Sequence, residues 1–135
     1  MFLLDTCVVS EGAKPKRDEN VVRWLSAQDT PDLYISAVTA GELRYGVSRM
    51  TPGREMNRLH EWLLETLNRG FVERILPFDH VIADQWGRLR ADFPNSEIAD
   101  SQIAATALVH GMTLVTRNVK DFGFEGLSVF NPWSK

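Results

Sequence analysis

One cysteine, Cys7, in 135 residues excludes an intrachain disulfide and agrees with a reducing compartment. Apolar residues nowhere run for the ~18 positions that a membrane-crossing helix needs. Met1-Phe2-Leu3-Leu4-Asp5 has neither a basic leader nor a small-residue cleavage site, so no signal peptide is expected and the default location is the cytoplasm. The three histidines, His60, His80 and His110, show no ligand spacing. An excess of one charge is also missing: 15 Lys+Arg against 18 Asp+Glu leave a net −3. That balance argues against a simple nucleic-acid binder, which is usually basic. It does not exclude a nuclease, because such a site needs carboxylates and its bound cation inverts the local field. No internal repeat and no low-complexity tract is present. What remains is the composition of a soluble globular protein, 44% hydrophobic and 24% charged, in a chain of a length that fits one domain and not two.

The apolar residues fall in an alternating order. Phe2-Leu3-Leu4 reads as a short buried strand that stops at Asp5. Glu11 to Glu19, with Gly12, Pro15 and the basic Lys14, Lys16 and Arg17, reads as a surface loop. Val21 to Ala27 reads as a helix capped by Asp18, Leu33-Tyr34-Ile35 as a second strand, and Ser36 as the N-cap of a helix through Val38, Leu43 and Val47. Pro52-Gly53 interrupts the pattern. The next helix carries Met56, Leu59, Trp62, Leu63 and Leu67 on one face and closes at Gly70. Phe71 to Leu76 is a predicted third strand, and Asp79 opens a helix through Ile82, Trp86 and Leu89. Ile98 to Val109 forms another helix, ended by Gly111; Thr113-Leu114-Val115 is a fourth strand and Leu127-Ser128-Val129 a candidate fifth. This alternation predicts an α/β domain whose mostly parallel sheet is covered by helices on both faces. In such sheets ligands bind outside the carboxyl ends of the strands.

Four acids are predicted at that edge. Asp5 directly follows the first strand, a position where Asp is also a favoured helix cap. Glu42 lies in the second turn of the helix begun after Ser36; alone it reads equally as a solvated helix glutamate. Asp100 shares a helix face with Ala104 and Ala107, small residues that allow close approach to the sheet. A charge at the head of such a face is costly to bury without a partner, although the helix dipole favours an acid in the first turn. Asp121 follows the strand end at Thr116, on a turn that Asn118 is placed to cap; elsewhere it would be an ordinary acidic loop residue. Carboxylates brought together repel one another, and a hard divalent cation resolves the conflict. An oxygen-only ligand set without His or Cys suits Mg2+ or Mn2+ rather than Zn2+. Such an ion keeps waters, one of which can attack a phosphodiester while the ion neutralises developing charge. The pattern therefore points to phosphoryl chemistry.

Leu3-Leu4-Asp5-Thr6 through Val9-Ser10-Glu11, Ser36-Ala37-Val38-Thr39-Ala40-Gly41-Glu42-Leu43, Asp100 with Ile103-Ala104-Ala105-Thr106-Ala107, and Thr113 through Phe122 resemble the PIN-domain family, specifically VapC-type toxins of the FitB-like branch. The ending Asn131-Pro132-Trp133 is similar too, so the resemblance runs nearly end to end. It implies one PIN domain over residues 1–135, a three-layer α/β/α sandwich, and Mg2+- or Mn2+-dependent endonucleolytic cleavage of RNA. By position it implies that Asp5, Glu42, Asp100 and Asp121 are the catalytic, metal-holding acids, that Thr6 and Thr116 line the site, and that Asn118 shapes the turn. It also implies a homodimer, a cognate antitoxin whose tail blocks the cleft in a heterotetramer or larger assembly, and operator DNA bound only through that complex. A reading from another class is a catalytically inactive PIN-like module that binds RNA or antitoxin; its usual mark, loss of an acid, is absent.

Cys7 departs from the branch, which commonly has Asn there. It reads as a small buried residue, since no histidine is placed to make it a nucleophile. Asp92 and Glu97 read as surface residues, and the short Asn95-Ser96-Glu97 leaves the cleft wall undefined. Arg117, Lys120, Lys14, Lys16 and Arg17 are candidates for holding the RNA backbone, contacts that position RNA without reading it, or a solvated basic face. Trp24, Trp62, Trp86 and Trp133 read as core or dimer-interface anchors. A phosphotransferase of the haloacid dehalogenase type would need a second Asp where Cys7 stands. A receiver domain would need a phospho-accepting Asp after the third strand, where Leu76 leads instead to Pro77-Phe78-Asp79.

Overall fold

The computed structural model describes residues 1–134. Five strands form its sheet: β1 (Phe2–Leu4), β2 (Leu33–Ser36), β3 (Ile75–Leu76), β4 (Thr113–Val115) and β5 (Val129–Phe130). Their order is β3-β2-β1-β4-β5, and every neighbouring pair is parallel. Parallel neighbours cannot be joined by tight hairpins and need crossover connections. The helices occupy those connections: α1 (Thr6–Glu11), α2 (Glu19–Ala27), α3 (Ala37–Ser48), α4 (Arg54–Glu65), α5 (His80–Asp92) and α6 (Ile98–His110). Among the described residues, no helix is long and apolar enough to cross a membrane.

Strand alternation decides which helices cover which face. Leu3 pairs in register with Leu114, and both enter a core with Ile82 and Leu89 of α5 and Ile103, Ala104 and Ala107 of α6. The next pair, Leu4 and Val115, joins Val8 and Val9 of α1, Leu43 and Val47 of α3, and Leu63 of α4 in a second core. The result is the expected three-layer sandwich. The four tryptophans are half-buried: Trp86 packs on the first core and Trp24, Trp62 and Trp133 on the second.

Local chemistry starts and stops the helices as expected. The Asp18 carboxylate accepts from Asn20 N–H at 2.9 Å and Val21 N–H at 3.2 Å, the Ser36 hydroxyl accepts from Val38 N–H at 3.0 Å, and Asp79 accepts from Ile82 N–H at 3.0 Å. Gly111 ends α6 with a left-handed φ of 63°, a conformation that glycine adopts without a Cβ penalty.

Three expectations need correction. The stretch opened by Glu11 is not simply an exposed loop: Glu11 is the last residue of α1 and only 4% exposed. Its carboxylate pairs with Lys14 at 2.9 Å and accepts from Asp18 N–H at 2.8 Å, folding the loop back on the helix. The sequence pattern shows neither α1 nor this closure, because six residues are too few to establish a helical period. The third strand is confined to Ile75–Leu76, since α4 continues into a π-helical turn, Thr66–Gly70, where Phe71 N–H donates to Thr66 O at 2.9 Å. Glu73 then turns the chain with φ 62°, and Arg74 donates to the Thr30, Leu33 and Gly70 carbonyls. The fifth strand is Val129–Phe130, shifted towards the C-terminus from the expected Leu127–Val129.

Because Leu114 is fully buried in the central layer, Leu114→Ala is expected to lower unfolding free energy by about 2–5 kcal/mol. Val72 is 56% exposed, and Val72→Ala should change it by less than about 0.5 kcal/mol. Urea unfolding midpoints at constant m value measure both; similar effects from the two would contradict this layer assignment.

Candidate active site

The site is assembled at the carboxyl ends of β1, β2 and β4. Asp5 follows β1 with 5% of its surface exposed. Its Oδ1 accepts Thr6 N–H at 2.8 Å, which caps α1, and its Oδ2 accepts the Thr116 hydroxyl at 2.7 Å. Thr116, itself fully buried just past β4, accepts Asn118 N–H at 3.0 Å. The Cys7 Sγ lies 3.6 Å from both Asp5 Oδ2 and Thr116 Oγ1. Charge-assisted donors of this kind stabilise a carboxylate withdrawn from water. Burial pushes the Cys7 thiol above its ordinary range, which keeps it protonated and a poor nucleophile.

Glu42 reaches the same edge from α3. The Thr6 hydroxyl donates to Glu42 Oε1 at 2.6 Å and lies 3.3 Å from the buried Thr39 hydroxyl. Thr6 thus holds Asp5 through its backbone and Glu42 through its side chain. Burial raises the Glu42 carboxyl, the Thr6 bond opposes the rise, and the charges of Asp5 and Glu97 add to it.

Asp100 lies in the first turn of α6. The head of that helix is pinned by Trp86, whose Nε1 donates to Ser101 Oγ at 2.9 Å, while Ser101 Oγ donates to Ile98 O at 2.8 Å. Burial, then Glu97, then Asp5 and Asp121 push Asp100 up to about 7. Asp121 is exposed on a 3-10 turn, Val119–Phe122. Asn118 occupies the cap position, but by backbone only: its carbonyl accepts Asp121 N–H at 3.0 Å and its side chain makes no capping bond.

Electrostatic coupling therefore links all four predicted acids, and it adds a fifth. Glu97 is exposed, as expected, yet its charge raises both Asp100 and Glu42. Its signal was available: it stands three residues before Asp100, a spacing that brings side chains together on a helix. Asp92 is exposed and outside this coupling, although it lines a neighbouring cavity. Among the basic candidates, Arg117 stacks on Trp133, 5.3 Å from the ring centroid, and Lys120 is exposed beside Asp121. Lys14 is engaged by Glu11, whereas Lys16 and Arg17 are exposed.

Two cavities open on the acids. One, of about 630 Å3, lies against Asp100 and Asp121; the other, of about 430 Å3, runs from Thr6 and Glu42 over Val47, Leu59 and Trp62. Among the described residues, no three acids already stand as a finished metal cage. The donor set is carboxylate oxygen throughout, and its members mutually oppose ionisation, a combination that fits a hard divalent cation.

A family model for the PIN domain matches residues 2–123. The chain belongs to the PIN-domain family. Toxin FitB of Neisseria gonorrhoeae is 43% identical over 137 residues, covering 98% of this chain and 99% of that toxin. A VapC ribonuclease of Sinorhizobium fredii, Y4jK, is 38% identical over 141 residues, with 98% of each chain covered. In the structure of FitAB bound to a DNA fragment, one chain aligns at TM-score 0.90 and 40% identity, over 100% of this chain and 97% of that one. Asp5, Glu42, Asp100 and Asp121 all lie within the matched segment.

In the PIN domain's acid cluster, Thr6→Val removes the one bond that lowers Glu42. The Glu42 carboxyl should titrate still higher in the variant by NMR and return in Thr6→Ser; an unchanged titration would dissociate the two residues. Asp100 holds its proton to about 7 in the fold against 3.8 as an ordinary acid, so over that window the unfolded chain binds fewer protons and stability falls as pH rises. The thermal midpoint of metal-free protein is expected to drop across this window and Asp100→Asn to flatten the drop. Parallel profiles would place the pH sensitivity elsewhere.

Proposed function

We propose that the protein is an endoribonuclease that depends on Mg2+ or Mn2+ and serves as the toxin of a toxin–antitoxin pair, folded as a single PIN domain over residues 1–135. The observation that carries the reading is the buried Asp5, held at both carboxylate oxygens, with Glu42, Asp100 and Asp121 near enough for the acids' charges to act on one another. Such a cluster destabilises the empty fold and is relieved by a shared cation. The relatives support the class of activity, since they are named a toxin and a VapC ribonuclease. The expected partners are an antitoxin, a second copy of this chain in a heterotetramer or larger complex, and operator DNA reached only through the antitoxin; the solved FitAB bound to a DNA fragment supports a DNA-bound complex.

Asp5, Glu42, Asp100 and Asp121 would hold the ion. Mg2+ typically takes one or two carboxylates directly and keeps several waters, so an open set of acids suits it better than a closed cage. When bound, the ion neutralises phosphate charge and makes a water acidic enough to attack phosphorus. The chain's own part is orientation. Asp5, held at both oxygens, is the fixed point; Thr6 aims Glu42; α6 and the 3-10 turn bring Asp100 and Asp121 to the opposite side of the cluster. Arg117, braced by Trp133, and Lys120 are the best placed cations for the RNA backbone, while Lys14 is largely neutralised by Glu11. Arg17 is free to contribute at the rim.

Purified chain, freed of any antitoxin and incubated with total cellular RNA, should cut it with Mg2+ or Mn2+ and stop with EDTA. Glu42→Gln and Asp5→Asn should lose cleavage while remaining folded. Cys7→Asn should stay within a few-fold of the parent, because the amide can replace the thiol beside Asp5. Cutting that survives EDTA, or that survives Glu42→Gln, would overturn the proposal.

A further inference from the structure

The larger cavity, about 630 Å3, has an outer wall that the cleavage chemistry does not use: the loop between α5 and α6. This wall is fastened from within. The Ser96 hydroxyl donates to the Phe93 carbonyl at 2.7 Å and Ser96 N–H donates to the same oxygen at 3.1 Å. The Arg90 guanidinium donates to the Ser96 carbonyl and, at 3.5 Å, to its hydroxyl. A loop held in this way needs little ordering when a ligand arrives. The ring of the half-buried Phe93 is set by a T-shaped contact with the buried Phe124, centroids 5.1 Å apart, and both residues line the cavity. Asn95, exposed on the same wall, offers an amide with two donors and an acceptor. Lys120 and Asp121 line this cavity and also a neighbouring one of about 410 Å3 that includes Arg117, so they form the ridge between the two.

We propose that this cavity is a subsite for one unstacked RNA base beside the cleaved phosphate, selective for bases that carry an exocyclic amino group. The proposal rests on the ribonuclease reading above and names part of its substrate preference. The volume falls within the ~300–1,000 Å3 of small-ligand sites. An aromatic ring for the base face, with polar groups for its edge, is the means by which proteins hold splayed single-stranded bases. Asp92 and Glu97 line the cavity together with Asp100 and Asp121 against the single cation Lys120. With Asp100 and Asp121 engaged by the ion, Asp92 and Glu97 leave the wall with acceptors that suit a neutral base and not a phosphate. Carboxylates accept from amino groups such as cytosine N4, and an Asn amide matches adenine N6 and N7. Uracil lacks an amino group; its one edge donor, N3–H, is flanked by two carbonyl oxygens that these acids repel, and this less favourable edge supplies the selectivity. Lys120, on the ridge, takes the adjoining phosphate, a contact that positions the strand without reading it.

Titration of the whole protein with adenosine, cytidine and uridine, followed through backbone amide shifts, tests the subsite without cleavage. Residues 93–97 and 120–124 should respond to adenosine and cytidine, with uridine weaker by about fivefold or more, and Asn95→Ala should bring the three within about twofold. Equal binding of uridine, or no response at these residues, overturns the proposal. Sequencing the fragment ends from a randomised single-stranded RNA library connects the site to catalysis. The parent protein should disfavour uracil at one position beside the cut, and Asn95→Ala and Phe93→Leu should lose that bias there alone. Nucleoside binding without metal-dependent cutting sinks the ribonuclease reading and leaves the base site standing. Cutting with no bias against uracil sinks the base site and leaves the ribonuclease.

Discussion

A carboxylate placed at the carboxyl end of the central strand, with 5% of its surface exposed, must have its oxygens satisfied by the protein. Asp5 meets that requirement with donors from two distant stretches: the Thr6 N–H and Cys7 thiol that follow it, and the Thr116 hydroxyl beyond β4. Much of the architecture depends on this. The first helix begins at Thr6 because Asp5 caps it. Strand β4 lies beside β1 with Leu4 opposite Val115, which brings Thr116 alongside Asp5, and Asp5 N–H completes the join by donating to Val115 O at 2.9 Å. One residue is therefore both a structural cap and the fixed point of the candidate metal site.

The remaining acids reach it through packing that gains stability elsewhere. Helix α6 buries Ala104, Ala105 and Ala107 completely, small residues that pack it in the core with Leu3 and Leu114. Asp100 thereby reaches the edge where Asp5 and Glu42 already stand, and its burial there, with the repulsion of the neighbouring acids added, raises its carboxyl to about 7. Neutral side chains would make this edge more stable. A local conflict tolerated within an otherwise consistent fold is the usual mark of a functional site, and here the conflict is confined to carboxylates, which narrows the relieving partner to a hard cation. The wall formed by Phe93 to Glu97 adds a second feature to the same edge, rigid and partly aromatic, and it gives the base subsite a place in the fold that the acids alone do not define.

Legibility in the sequence followed the range of the interactions. Helix starts at Asp18, Ser36 and Asp79 were readable because each cap bonds to a backbone N–H two or three residues away. The four acids are legible as candidates because each lies just past a strand or within the early turns of a helix at one sheet edge. The short α1 and the two-residue β3 were not, since neither is long enough to display a period. Glu97 looks like a surface residue in the sequence although its spacing from Asp100 allows contact, and Lys14 looks free although Glu11 stands three residues before it.

By itself the sequence determined the alternation of strands and helices, the caps, the all-oxygen character of the candidate ligands and membership of a two-sided α/β architecture, because these arise from residue type and near-neighbour spacing. Tertiary structure decided the strand order, the shell of donors around Asp5, the strength of the repulsion at Asp100 and the identity of the cavity wall. Hydrogen bonds such as Thr116 to Asp5, which close over 111 residues, and Coulomb interactions that vary with separation and burial depend on how the layers pack, and no local pattern carries that distance.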